Sequence, residues 1–194
     1  MNAPTEDFVL NAAQRAEVIA GLNQILPAHA VLHEVEDTKP YECDGLSLFR
    51  QLPMVVALPD TEEQVIEILK LANRLNVPVV ARGAGTGLSG GAQPHKHGIL
   101  LGMAKFNKIL KVDVPSRSAV VQPGVRNLAI SEAVAQHQLY YAPDPSSQIA
   151  CTIGGNVAEN SGGVHCLKYG LTVHNVLKVR AITIEGEIVE FGSE

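Results

Sequence analysis

The sequence predicts an α+β fold of mixed sheets with flanking helices, and three observations carry that expectation. An apolar run at 54–58, a helical repeat opened by Thr61-Glu62-Glu63-Gln64 and a second apolar run at 78–81 spell β-α-β. After residue 98 the pattern changes to short strands separated by Gly, Pro and Ser, with one helical interlude. Near the end, two strand-like runs flank Glu185-Gly186, the pattern of a β-hairpin.

Taken in order, apolar residues recur at helical spacing at Ala12, Ala16, Ile19, Leu22 and Ile25 or Leu26, and Pro27 ends that leading helix. Residues 31–53 mix Pro40, Gly45 and Pro53 with charges, which predicts a connecting arm without regular elements, the packed domain beginning near Pro53. The helix after Thr61 has its apolar face on Val65, Ile68, Leu69, Ala72 and Leu75. Ile99-Leu100-Leu101, residues 109–114 and Ala119-Val120-Val121 read as short strands. Residues 127–137 read as a helix with Leu128, Ala133 and Val134 on one face, and 176–184 with 187–191 as the hairpin. The chain stops at Gly192-Ser193-Glu194, directly after a strand, so a longer parent protein is expected.

Composition narrows the function. With 194 residues, 46% of them hydrophobic and 18% charged, the chain can fill one substantial core or two small packed lobes and is not disordered over most of its length. A formal charge of −5 with no Lys/Arg run argues against nucleic acid. No apolar stretch approaches the roughly 20 residues of a membrane span, and the acidic start at 1–7 is unlike a signal, so a cytoplasmic location is expected. Cys43, Cys151 and Cys166 are odd in number and lack CxxC spacing, which predicts reduced thiols and no zinc site.

Two glycine-rich stretches carry most of the functional signal. Arg82-Gly83-Ala84-Gly85-Thr86-Gly87-Leu88-Ser89-Gly90-Gly91 follows a strand and contains GxGxxG, with Asp113 further on. A Rossmann site needs a helix opening at those glycines. Gly91, Pro94 and Gly98 leave no room for one, and no Gly-Lys-Ser/Thr completes a P-loop. A non-helical loop that cradles phosphate on its backbone amides fits instead. The second stretch, Thr152-Ile153-Gly154-Gly155-Asn156 through Gly162-Gly163, alternates small residues with hydrogen-bonding ones.

Motif order adds a resemblance. Arg-Gly-x-Gly-Thr-Gly at 82–87, Pro-Gly-Val at 123–125, Pro-Asp-Pro-Ser at 143–146, Thr-Ile-Gly-Gly-Asn at 152–156, Asn-x-Gly-Gly at 160–163, Lys-Tyr-Gly-Leu-Thr at 168–172 and Asn-Val-Leu at 175–177 resemble the FAD-binding domain of the vanillyl-alcohol-oxidase and p-cresol-methylhydroxylase family. The resemblance covers residues 53–194. Residues 41–47 and 121–170 are further similar to the FAD subunits of bacterial glycolate oxidases, while D-lactate and D-2-hydroxyglutarate dehydrogenases share the shorter motifs.

That resemblance implies a two-lobed FAD domain dividing near 103–115, after a helix and arm over 1–52, with the substrate-binding cap, general base and carboxylate-binding arginines beyond residue 194. It places Arg82, Gly83, Ala84, Gly85, Thr86, Gly87, Gly90 and Gly91 around the FAD pyrophosphate. Pro143, Asp144, Ser146, Thr152, Ile153, Gly155, Asn156, Ala158 and Gly162 fall along the ribityl and ring side. Some relatives attach FAD covalently through a His in the first loop; Thr86 stands there and cannot form that bond, so non-covalent FAD is expected. The implied activity is oxidation of a 2-hydroxy acid to a 2-oxo acid. The implied partners are further subunits, including an iron–sulfur electron acceptor, able to hold the protein at the inner face of the membrane. The 194 residues alone are expected to bind FAD and turn over nothing. A different FAD-dependent reaction, or a non-catalytic nucleotide-binding module, stays open.

Other polar residues read more plainly. His95 and His97 sit in a Gly/Pro-rich turn with no further ligands nearby, so no metal is assigned. His165 beside Cys166 is read as cofactor packing or plain burial, because adjacency in sequence does not make a catalytic pair. Lys178 and Arg180 stand where the resembled family usually carries Gly and Glu, a departure that bears on hairpin packing or a partner surface and not on the cofactor.

Overall fold

In the computed structural model the described residues are 9–193; the acidic start at 1–7 lies outside them. The leading helix is α1, Ala12–Ile25. Asn11 caps it reciprocally: the Gln14 amide donates to Asn11 Oδ1 at 2.9 Å and the Asn11 amide to Gln14 Oε1 at 3.0 Å. Its inward residues Val18 and Leu22 are fully enclosed.

Residues 31–53 depart from the expected bare arm. They contain β1 (Val31–Leu32) and α2 (Val35–Thr38), and β1 pairs antiparallel with β2 (Val55–Ala57). A two-residue edge strand is too short for alternation to register as a periodic signal, which is why the sequence concealed it. Leu10, Val18, Leu22, Leu26, Ala30 and Val31 all enter the main apolar core, so the segment before Pro53 is folded into it.

The helix α3 (Glu62–Arg74) starts at Thr61 with the predicted capping box and buries Val65, Ile68, Leu69, Leu71 and Ala72. β3 (Val79–Arg82) follows, but its sheet neighbour is not β2. The strand β4 (Ile99–Gly102) lies between them, parallel to both, giving the order β1-β2-β4-β3. β2 and β4 are buried at every residue, which accounts for their unbroken apolar runs.

A smaller apolar cluster forms the second lobe. The antiparallel pair β5 (Ile109–Asp113) and β6 (Ser118–Val121) contributes Ile109 and Val121, and Val125, Ile130 and Ile153 fill its centre. The helix α4 (Asn127–Val134), continued by a 3-10 turn at Ala135–His137, buries Asn127, Ile130 and Val134. The predicted face of Leu128, Ala133 and Val134 is corrected: Leu128 and Ala133 are half-buried, because the polar Asn127 takes the innermost place. Two further short helices, α5 (Ile153–Glu159) and α6 (Cys166–Tyr169), follow.

The hairpin of β7 (Lys178–Ile182) and β8 (Ile188–Gly192) turns at Gly186, whose φ of +80° suits glycine, and comes back to the first lobe. Ile182 packs on the main core, and Arg180 reaches Glu62 at the start of α3 at 2.7 Å. Lys178 joins Glu190 across the hairpin at 2.9 Å. Arg180 thus docks the hairpin on the first lobe, while Lys178 ties its two strands together. The hydrogen bond from Arg180 holds the Glu62 carboxyl below its ordinary range, so this contact contributes above that range and is lost as the pH falls through it.

Candidate functional site

The first glycine stretch leaves β3 and reaches β4 without any helix, as the sequence required of a non-Rossmann loop. Gly85 and Gly90 adopt φ of +68° and +76°, the left-handed turns that glycine alone takes without strain. Arg82 does not extend into a binding cleft. Its guanidinium folds over Gly85, lies 5.7 Å from the Tyr41 ring centre and donates to the Cys43 carbonyl at 2.8 Å. Gly45 in turn lies directly on the Thr86 and Gly87 carbonyls. Residues 41–45 therefore brace the loop from behind, with Arg82 as the tie.

The second stretch contains α5, a helix the sequence did not reveal because Gly154-Gly155 are poor helix formers and seven residues give little periodicity. Its start is fixed by backbone pairing. The amide of Ile153 donates to the Val125 carbonyl and that of Gly154 to the Pro123 carbonyl, each at 2.9 Å, and Thr152 bridges to Arg126. Gly154 lies against Pro123 so closely that an added methyl group would sit 2.7 Å from the Pro123 Cβ.

These supports bring the two stretches into contact at Gly83 and Thr152, where the Thr152 hydroxyl occupies the space a Gly83 side chain would need. They share a cleft of about 520 Å³, walled by Gly83 and Ala84 on one side, by Thr152 on another, and by Gly124, Val125 and Arg126 on a third. Thr152 is buried, and its Oγ1 has no hydrogen-bond partner. An unsatisfied buried hydroxyl is costly unless a ligand completes it. Glycine walls, left-handed turns and this orphaned hydroxyl together fit a phosphate-bearing cofactor.

The other sequence-derived positions divide into two groups. Pro143, Ile153 and Asn156 are buried behind the surface. Asn156 Nδ2 donates to Asn127 Oδ1 at 2.8 Å, and Asn127 Nδ2 donates to the Pro143 carbonyl at 3.0 Å, a buried relay that ties α4, α5 and the Pro-Asp-Pro-Ser segment into one wall. Asp144 accepts from the His165 amide at 3.2 Å and pairs with His165 Nδ1 at 2.5 Å. Burial pulls the Asp144 carboxyl upward, but the hydrogen bonds from His165 outweigh it and hold the group below its usual range. Gly163 closes against the Asp144 backbone, while Ser146 and Ala158 are exposed and Gly155 and Gly162 partly so. Gly87 and Gly91 face the side chain of Glu159.

Two readings change. His165 is exposed and partnered by Asp144, so neither burial nor its neighbour Cys166 accounts for it. The cleft also uses Ala104, Asn107, Ile109, Gly124, Val125 and Arg126, none of which stood among the sequence-derived site residues. Only Pro-Gly-Val at 123–125 gave a signal for them. Among the described residues no cluster of three or more His, Cys, Asp and Glu could hold a metal ion.

Residues 53–192 match the family model described as FAD binding domain. The chain belongs to this FAD-binding domain family. It is 60% identical over 188 residues to glycolate oxidase subunit GlcD of Escherichia coli (strain K12), covering 97% of this chain and 38% of that protein. It is 41% identical over 140 residues to a D-lactate dehydrogenase of Archaeoglobus fulgidus, covering 72% of this chain and 31% of that one. The solved structure of p-cresol methylhydroxylase with substrate bound superposes with a TM-score of 0.81 at 21% identity, over 93% of this chain and 36% of that chain. This FAD-binding domain therefore has the p-cresol-methylhydroxylase type of fold that the motif order implied, with mixed sheets and no Rossmann unit. The chain spans well under half the length of these relatives.

Proposed function

We propose that the chain is the FAD-holding portion of an oxidoreductase that converts glycolate, a 2-hydroxy acid, to its 2-oxo acid. The observation that carries this reading is the meeting of the two glycine stretches at one cleft with the orphaned Thr152 hydroxyl. The 60% identity to a glycolate oxidase subunit across nearly the whole chain supports the choice of substrate.

Within that reading, Gly83, Ala84, Gly85, Thr86, Gly87, Gly90 and Gly91 present backbone amides to the pyrophosphate, and Arg82 keeps their loop in place from behind. Thr152 supplies a hydroxyl, and Asp144, Ser146, Gly155, Ala158 and Gly162 border the ring side. Pro143, Ile153 and Asn156 hold the wall that these residues stand on. Bound FAD supplies the hydride-accepting chemistry, and this domain supplies binding, orientation and exclusion of water. Thr86, lacking a ring nitrogen, leaves FAD dissociable. Substrate-binding and proton-transferring groups belong to a cap domain beyond residue 194, with residues 1–52 as the leading segment and 53–194 as the cofactor domain.

No helix among the described residues is long and apolar enough to cross a membrane. We place the protein in the cytoplasm, passing electrons to companion subunits, one of them iron–sulfur, that bring it to the inner membrane face. The relationships to a D-lactate dehydrogenase at 41% identity and to a D-2-hydroxyglutarate dehydrogenase at 33% favour a second reading, in which the substrate is D-lactate or D-2-hydroxyglutarate. Anaerobic mixing of the full-length, FAD-loaded protein with each 2-hydroxy acid separates them. Flavin absorbance is expected to bleach fastest with glycolate; bleaching with D-lactate or D-2-hydroxyglutarate alone supports the second reading, and bleaching with none overturns both.

A further inference from the structure

We propose that Glu159 is an anionic gate on the first glycine loop, which a phosphate-bearing cofactor must displace to bind. The proposal rests on the FAD reading above and adds a residue that determines how tightly the cofactor is held. Glu159 is the last residue of α5, and its carboxyl group lies against Gly87 and Gly91 of the first glycine loop. A methyl group added at Gly87 would lie 3.0 Å from the carboxyl carbon, and one at Gly91 would lie 3.5 Å from Oε1. Side chains at these two positions would take the room the carboxylate uses.

Three features make this placement unfavourable for an anion. The end of a helix carries the negative pole of its dipole, so a carboxylate there is disfavoured, most of all when the helix is short and no cation compensates. Glu159 has no hydrogen-bond or ion-pair partner among the described residues. On the FAD reading the loop it touches offers its backbone amides to the pyrophosphate, which would then face a like charge at close range. Glu159 is exposed, so its side chain can swing into solvent, which makes the contact displaceable. The gate then weakens phosphate binding without blocking it, and solvent screening keeps the effect modest.

The test is a fluorescence titration of the chain with FAD and, separately, with riboflavin, which has the ring and ribityl chain but no phosphate. Glu159→Gln keeps the shape and removes the charge, and Glu132→Gln on the exposed face of α4 controls for net charge. Glu159→Gln is expected to bind FAD about fivefold more tightly than the parent, with riboflavin affinity unchanged and Glu132→Gln like the parent. A parent-like or weaker FAD affinity in Glu159→Gln overturns the gate. So does an equal gain with riboflavin or in Glu132→Gln. If the parent and all variants ignore FAD, it is the FAD reading itself that falls.

Discussion

Gly83→Ala is expected to lower FAD affinity at least tenfold and to cost about 1–3 kcal/mol of folding stability. The added methyl group enters the space of the Thr152 hydroxyl, and neither side yields easily. Gly83 directly follows β3, whose Arg82 is paired to Gly102 of the central β4. Thr152 is buried, bridged to Arg126 and followed by amides bonded to the 123–125 backbone. Relief requires either the loop to back away from the cleft or the hydroxyl to rotate out of it, and both remove part of the phosphate-binding surface. Titration with FAD and urea unfolding report the two losses separately. Adding Thr152→Ala removes the obstruction, so the double variant should regain stability while FAD affinity stays below that of the parent; a simple sum of the two single losses would show that the residues do not act through this contact.

The second large effect is expected for Asn127→Leu. Asn127 is completely enclosed and serves as both acceptor and donor in the buried relay from Asn156 to the Pro143 carbonyl. Leucine has the same branching but neither donor nor acceptor, so it leaves the Asn156 amide and the Pro143 carbonyl unpaired, and each unsatisfied buried group costs about 1–3 kcal/mol. We expect the urea midpoint to fall at unchanged denaturant slope, by an amount that corresponds to about 2–4 kcal/mol of stability. Domains of this size have only about 5–15 kcal/mol in total, so the variant should be visibly fragile. A loss under about 0.5 kcal/mol, the range of an ordinary surface change, would show that the relay does not hold the wall.

The parts of the fold readable in the sequence are those fixed by local chemistry. The helix α3 declared itself through Thr61, Gln64 and a strong apolar stripe, and the glycine turn at 186 through the two strand runs around it. The non-helical character of the first glycine stretch was equally local, because Gly91, Pro94 and Gly98 deny a helix. What stayed hidden depends on contacts between distant segments. The insertion of β4 between β2 and β3, the edge pairing of β1, and the Asn127–Asn156 contact leave no periodic trace. Site residues followed the same division. Gly83, Ala84 and Thr152 were legible as small or hydroxyl-bearing residues in glycine-rich runs, and they line the cleft. The resemblance placed Arg82 around the FAD pyrophosphate, and the contacts of its guanidinium with Tyr41 and the Cys43 carbonyl, far away in sequence, left no local signal. Asn107 and Arg126 carried no local signal and reach the cleft only because the second lobe folds back onto the first.

The central claim is that the two glycine stretches form a single site for non-covalent FAD. Titrating the purified chain with FAD, followed by acid precipitation, tests it most directly. The account predicts saturable uptake of one FAD per chain, preferred over NAD and ATP, with all the flavin released into the supernatant on precipitation. No FAD uptake at tens of micromolar, tighter binding of NAD or ATP, or flavin remaining with the precipitated protein would contradict it.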